Sequence, residues 1–320
     1  MRAGALLALT LAACHGAVTA TTARLHEGAL HLGDHALVDG DARFYVDASG
    51  DAAHVHAGLG AGPSLASERL IAVRVVGEQG DFVEVENLAA GEDSRDCSPS
   101  LAPIATLRLH LWVRRDDLVP ALTRELGVTF RDGTGVRLAP GVAASPTARA
   151  GRFAFAPDGQ PIEIAAPAAA VGLTYPAGRF VSVARADSLC EPIPAWIGGA
   201  SFLLPAGPVL VENGTDGAAR VTLQTACAIY RARVASPPAP CADGSIGLGS
   251  LTGAVVTVRA GARITWPDGR PAGVAVAETL LVEEPRLAGD RMCTDLVLGD
   301  PASSLTVCFA VKDVTVETGF

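Results

Sequence analysis

Leu70-Ile71-Ala72-Val73-Arg74-Val75-Val76, the turn Glu78-Gln79-Gly80-Asp81 and the arm Phe82-Val83-Glu84-Val85-Glu86 together decide the fold. The first arm is dense in β-branched and apolar residues. In the second, Phe82 and the glutamates share one side, while Val83 and Val85 share the other. That is the period-two pattern of a half-buried strand. Upstream, Ala42-Arg43-Phe44-Tyr45-Val46 reads as another arm, followed by the turn-rich Asp47–Asp51 and a short continuation at His54-Val55-His56. Downstream, Leu107–Val113 closes the group and runs into Arg114-Arg115-Asp116-Asp117-Leu118.

The β reading continues to the C-terminus with one interruption. Asp116–Leu126 is the best helix candidate, with Asp116 or Asp117 as cap and Pro120 in the first turn. Arg131-Asp132-Gly133, Pro157-Asp158-Gly159 and Pro267-Asp268-Gly269 are hairpin turns, because glycine accepts positive φ and proline presets φ. Their surroundings echo one another. Val136–Gly141 with Phe153–Pro161 resembles Val258–Gly261 with Ile264–Pro271, a weak internal repeat of hairpin units. Asn213-Gly214-Thr215 matches a glycosylation sequon and also a tight hairpin turn, and the turn is favoured. Pro237-Pro238-Ala239-Pro240 reads as a linker or loop. Cys293–Leu298 and Leu305–Val311 form a hairpin, followed by Val314-Thr315-Val316. The expected class is all-β, in several hairpin or barrel modules with one short helix.

Composition agrees. The chain of 320 residues has 35 glycines and 21 prolines, and it carries a net charge of −9. A pI near 5.3 argues against nucleic acid as a partner. Basic residues are almost all arginine, Lys312 being the single lysine.

Leu11-Ala12-Ala13-Cys14 follows a short apolar run that starts just after Met1-Arg2. The run Ala3–Ala13 is about eleven residues, whereas a bilayer-spanning helix needs roughly 20. With its positive start, the segment reads as a signal peptide. Small residues followed by cysteine resemble the lipobox of bacterial lipoproteins. The resemblance implies removal of residues 1–13, lipidation of Cys14 and attachment to a membrane through that lipid. In the Gram-negative family an aspartate after the cysteine favours the inner membrane. His15 stands there, so the resemblance implies the outer membrane. Residues 14–38 then form a tether.

Removing Cys14 from seven cysteines leaves Cys97, Cys190, Cys227, Cys241, Cys293 and Cys308. An even number in an exported chain points to disulfides, though six cysteines allow many pairings. Pairing of neighbours gives Cys227–Cys241 and Cys293–Cys308, and elimination leaves Cys97–Cys190.

Residues 39–120 resemble the bacterial SH3-like domain. The pieces that carry the likeness are Phe44-Tyr45-Val46, Val73-Arg74-Val75-Val76, Gly80-Asp81-Phe82-Val83-Glu84-Val85 and Leu111-Trp112-Val113. The insertion Asn87–Thr106, which carries Cys97, is long for that family, and Phe82 stands where tryptophan is commoner. A second β domain is expected over 121–236 and a third module over 237–320.

Chemistry-bearing motifs are few. Six of seven histidines precede residue 57, and His54-x-His56 places two imidazoles on one side of a strand, a spacing that metal ligands use. Asp39-x-Asp41 lacks the remaining ligands of a calcium loop. No nucleophile elbow, zinc-protease helix or P-loop occurs, and no cofactor is implied. Two classes of function follow. The leading one is a non-enzymatic envelope lipoprotein whose β modules bind protein or peptidoglycan. The alternative is an exported hydrolase of polysaccharide or peptide, using two carboxylates with no required sequence spacing.

Overall fold

The structure is a computed structural model. It describes residues 28–40, 42–50, 55–56, 70–88, 97, 106–147, 152–157, 162–176, 187–189, 191–213, 219–236, 254–283, 285–297 and 304–317. The chain divides into two compact units. A split unit comprises residues 30–94, 98–119 and 246–320, and an insert unit comprises 1–29, 95–97 and 120–245. Both are built of β-strands joined by turns and single 3-10 turns.

The split unit begins with β1 (His35–Asp39), β2 (Arg43–Phe44), β3 (Val55–His56), β4 (Leu70–Gln79), β5 (Phe82–Asn87), β6 (Leu107–Arg114) and β7 (Leu118–Val119). In the insert unit follow β8 (Ala121–Leu122), β9 (Leu126–Thr129), β10 (Gly135–Leu138), β11 (Ala144–Pro146), β12 (Arg152–Phe155), β13 (Ile162–Ala165) and β14 (Val171–Gly172). That unit continues with β15 (Asp187–Leu189), β16 (Ile193–Ile197), β17 (Ala200–Leu204), β18 (Gly207–Asn213), β19 (Ala219–Gln224) and β20 (Ala228–Val234). The chain re-enters the split unit as β21 (Ala254–Val258), β22 (Arg263–Thr265), β23 (Pro271–Ala275), β24 (Thr279–Glu283), β25 (Arg286–Ala288), β26 (Arg291–Val297), β27 (Ser304–Ala310) and β28 (Val314–Glu317).

The deciding stretch is a two-residue hairpin. Gln79 faces Phe82 across Gly80-Asp81, and Gly80 has φ 60°, the left-handed region that glycine enters without a Cβ clash. Period-two alternation sends Val83, Val85, Leu109, Leu111 and Val113 inward, each no more than 1% exposed. Burying each such side chain contributes about 1.5–3 kcal/mol. Where β5 parts from β6, buried Asn87 replaces the missing ladder bonds. Its Nδ2 donates to Leu107 O (2.8 Å), and its Oδ1 accepts from Leu109 N–H (2.7 Å).

The meander does not end at β6. A single sheet runs in the order β25-β26-β27-β22-β23-β6-β5-β4-β1-β7. The link is antiparallel pairing of Gly273, Val274 and Ala275 with Leu109, Arg108 and Leu107. A Cβ built on Gly273 lies 1.8 Å from the Arg108 carbonyl oxygen, so only glycine permits this approach. Cys293 and Cys308 face each other across β26 and β27 and are disulfide-bonded. A second sheet, β24-β21-β28, carries the last strand.

In the insert unit, the path β15-β18-β19-β20-β10-β9 is joined at β20 by the β16–β17 hairpin. Its core gathers Phe153, Phe155, Leu138, Leu223 and Tyr230, and Phe202 stacks at 5.2 Å on Tyr230. β18 and β19 pair antiparallel with Asn213 opposite Ala219, and the tight turn expected at Asn213-Gly214-Thr215 lies outside the described residues.

The expected echo of Phe153–Pro161 with Ile264–Pro271 cannot be followed through Pro157-Asp158-Gly159, because residues 158–161 lie outside the described residues, but two other pairs of turns share a hydrogen-bond pattern. In the insert unit, Phe130 N–H donates to Thr134 O, Gly133 N–H to Phe130 O, and Thr134 N–H to Asp132 Oδ1. In the split unit, Trp266 N–H donates to Arg270 O, Gly269 N–H to Trp266 O, and Arg270 N–H to Asp268 Oδ1. Both turns are an aromatic residue, one spacer, then Asp-Gly, with the glycine at φ 78° or 92°. A second shared turn has Val142 N–H donating to Ala139 O and Ala262 N–H to Arg259 O, again with a left-handed glycine before the donor.

Three expectations are corrected. Asp116–Leu126 is not helical: Arg115–Asp117 is one 3-10 turn, followed by β7 and β8. The residue before a proline is disfavoured in the α region, and Val119 precedes Pro120, so Val119 extends and pairs with Leu37 of β1. The stretch 237–320 does not stand as a third module, because β22 and β23 extend the sheet of the first. Finally, the expected tether 14–38 contains most of β1, in which Ala36, Leu37 and Val38 are wholly buried.

Gly273→Ala is expected to lose β6–β23 pairing. Urea denaturation should register a loss of at least about 3 kcal/mol, since a backbone carbonyl cannot yield without breaking the ladder.

Candidate functional site

Alternation that buries valine and leucine on one side of β4–β6 places polar and aromatic residues on the other. Arg74, Phe82, Glu84, Glu86, Arg108, His110, Trp112 and Arg114 share this outer face. Register brings them into rows: Arg74, Glu86 and His110 in one, Glu84 and Trp112 in the next, Phe82 and Arg114 in the third.

Glu86 is the centre of the first row. Its carboxylate lies 3.7 Å from Arg74 Nη1 and 3.8 Å from Arg108 Nε, and its side chain is only 13% exposed. His110 stands between two carboxylates, its Nδ1 3.4 Å from Glu84 Oε1 and its Nε2 3.8 Å from Glu86 Oε1. Gly77 sits at a β-bulge opposite Glu84, where a Cβ would come within 2.9 Å of Glu84 Oε2.

The aromatic end is fixed by backbone. Tyr45 and Trp112 exchange N–H···O bonds of 2.7 and 2.8 Å. The Tyr45 ring meets Phe82 edge-on at 5.3 Å, and the Arg114 guanidinium lies 5.9 Å from the same ring. These contacts are a T-shaped pair and a cation–π pair.

The loop beside Tyr45 is held by charge. Arg270 Nη1 donates to Asp47 Oδ2 (2.9 Å), and its Nε donates to Asp268 Oδ2 (2.7 Å). Hydrogen bonds from Ser49, then Arg270, hold the Asp47 carboxyl below the ordinary carboxylate range. Bonds from Arg270 do the same for Asp268. Burial pushes the Asp117 carboxyl upward.

No family model matches the chain, and no curated protein or solved structure matches it. The reading of the face therefore rests on its own chemistry. It presents carboxylates, guanidiniums, an imidazole and aromatic rings on one sheet face, most of them half-buried and His110 and Arg114 exposed, groups suited to ion pairing and stacking.

Most residues singled out from sequence lie elsewhere. Cys14, His54, Cys190 and Cys241 are outside the described residues. His56 is placed only as a backbone partner of Arg43. Among the described residues, no group of three or more His, Cys, Asp or Glu is arranged to hold a metal. Cys293 and Cys308 are joined as expected. Cys97 lies against the core that contains Cys227. The Glu84–Glu86–His110 cluster, which spans two rows, was not singled out from sequence. Its signal, two glutamates at spacing two and a histidine two positions after Arg108, is visible only once β5 and β6 are set in register.

Two predictions follow from these charges. Glu86→Gln leaves Arg74 and Arg108 facing an uncharged amide, with an expected loss of about 1 kcal/mol. By denaturant titration, that loss should be larger at about 0.01 M salt than at about 1 M. Asp47 and Asp268 have depressed folded values, so their contribution exists above the unfolded carboxylate value and is lost as pH falls through the folded one. The stability deficit of Asp47→Asn at neutral pH should therefore vanish between about pH 5 and about pH 2.

Proposed function

We propose that this protein is an envelope lipoprotein anchored through Cys14, whose β modules bind a protein or the cell wall without catalysis. The observation that carries the reading is the Cys293–Cys308 disulfide. Disulfides persist in oxidising compartments and are rare where thiols are kept reduced. The bond therefore supports export, and the lipobox-like Leu11-Ala12-Ala13-Cys14 gives export an anchor. Several acyl chains on one cysteine, each buried methylene contributing about 0.8 kcal/mol, would hold the protein firmly. In this reading the SH3-like arms of residues 39–120 supply the binding module, and the outer membrane is the address. The contact surface is the outer face of β4–β6, where Phe82, Trp112 and Arg114 adjoin the Glu84–His110–Glu86 cluster.

The anchor and the surface are tested separately. Metabolic palmitate should label the wild-type protein and not Cys14→Ser, and a mature N-terminus at any other residue defeats the anchor. Lipid-free protein should co-sediment with purified sacculi or crosslink to one envelope protein. Trp112→Ala combined with Arg114→Ala should reduce that capture about tenfold or more. A monodisperse protein that retains neither partner defeats the binding reading.

A further inference from the structure

We propose that Cys97 and Cys227 are joined by a disulfide that fastens residues 95–97 to the core of the insert unit. Residues 95–97 belong to that unit, although the chain on either side of them belongs to the split unit. Cys97 packs against the cluster that contains Cys227, Tyr230, Leu223 and Leu138. Cys227 is 6% exposed, and its Sγ lies 3.6 Å from the Cys97 carbonyl oxygen across a sequence separation of 130 residues.

Cys227 is also held still. Its N–H donates to Thr225 Oγ1 (3.1 Å), and its carbonyl accepts from Ala139 N–H (2.9 Å). The sulfur is thus presented from a tight turn at the start of β20 toward the backbone of Cys97. In the structure the two stand as separate thiols; a bond needs their Cα atoms within about 7 Å, and the Cys227 Sγ already lies against the Cys97 backbone. This pairing differs from the neighbour rule, which joined Cys227 to Cys241 and Cys97 to Cys190.

The step is an oxidation. Both thiols lose their protons, one S–S bond forms, and the two electrons reduce the disulfide of a donor to two thiols. In the cell that donor is a disulfide-exchange protein of an oxidising compartment. In the assay it is glutathione disulfide, so the outcome does not depend on whether Cys14 is lipidated or where the protein is exported.

The test is peptide mapping of the full chain lacking residues 1–13. The protein is folded in glutathione buffer, alkylated and digested with trypsin without reduction. The four cysteines at issue fall in four different peptides: Asp96–Arg108, Ala186–Arg220, Val221–Arg231 and Val234–Arg259. Cys293 and Cys308 share Met292–Lys312, so their bond does not confuse the map. The expected result is a linked pair of Asp96–Arg108 with Val221–Arg231 that separates on reduction. A link from Cys227 to Cys241, a link from Cys97 to Cys190, or alkylated thiols at both Cys97 and Cys227 overturns the proposal.

Substitution gives a second reading. Closing so long a loop constrains the unfolded chain strongly, so Cys97→Ser and Cys227→Ser should each lower Tm by roughly 5–15 °C. The double variant should lose no more than the single ones, because both remove one bond. Losses that add would overturn the proposal, and the wild-type map decides the matter should either variant fail to fold.

Discussion

Pairing of β23 with β6 is the constraint on which the split unit depends. It joins Leu107–Leu109 to Gly273–Ala275, residues more than one hundred and sixty positions apart, and residues 120–245 of the insert unit lie in the loop between them. Closing a longer loop costs little more than closing a moderate one, because the entropy grows only logarithmically with length. The ladder is therefore affordable, but it forms late: non-local pairings reward the chain only after the loop is closed. The insert unit has its own buried core around Tyr230 and Phe155, so its order need not await that closure. At the meeting point, Gly273 allows backbones to approach and Asn87 satisfies the groups that β5 leaves behind.

Local structure was legible in the sequence, and long-range assembly was not. Val83 and Val85 against Phe82, Glu84 and Glu86 define a half-buried strand without any partner in view. The Asp-Gly turns at 132–133 and 268–269 are equally local, because aspartate caps its own turn and glycine supplies the positive φ. The failed helix at Asp116–Leu126 shows a local rule weighed wrongly. Pro120 was read as a first-turn residue, whereas its effect on Val119 was the stronger one. The merging of residues 254–317 with the first module was beyond reach, since nothing in Pro271–Ala275 names Leu107–Leu109 as its partner. Cysteine pairing was legible only where it is local. Cys293–Cys308 spans a hairpin and was expected, while the contact of the Cys227 Sγ with the Cys97 carbonyl arises only in the folded core.

The outer face of β4–β6 shows what weak interactions accomplish. Each ion pair there is worth little, and together they contribute far less than the buried valines and leucines beneath them. Their effect is on register. A one-residue slip of β5 against its neighbours would turn Glu84 and Glu86 into the core and Val83 and Val85 out to water. In the observed register Glu86 meets Arg74 and Arg108, and His110 meets both glutamates. Hydrophobic alternation fixes which face is buried, and the charges oppose slips by two, which alternation alone tolerates. The same pairing limits what the face can bind. A ligand that engages Glu86 must displace two guanidiniums, whereas one that stacks on Trp112 and contacts Arg114 leaves the network whole. In the proposed binding role, contact would centre on the aromatic end of the face, with the charged residues holding the strands beneath it in place.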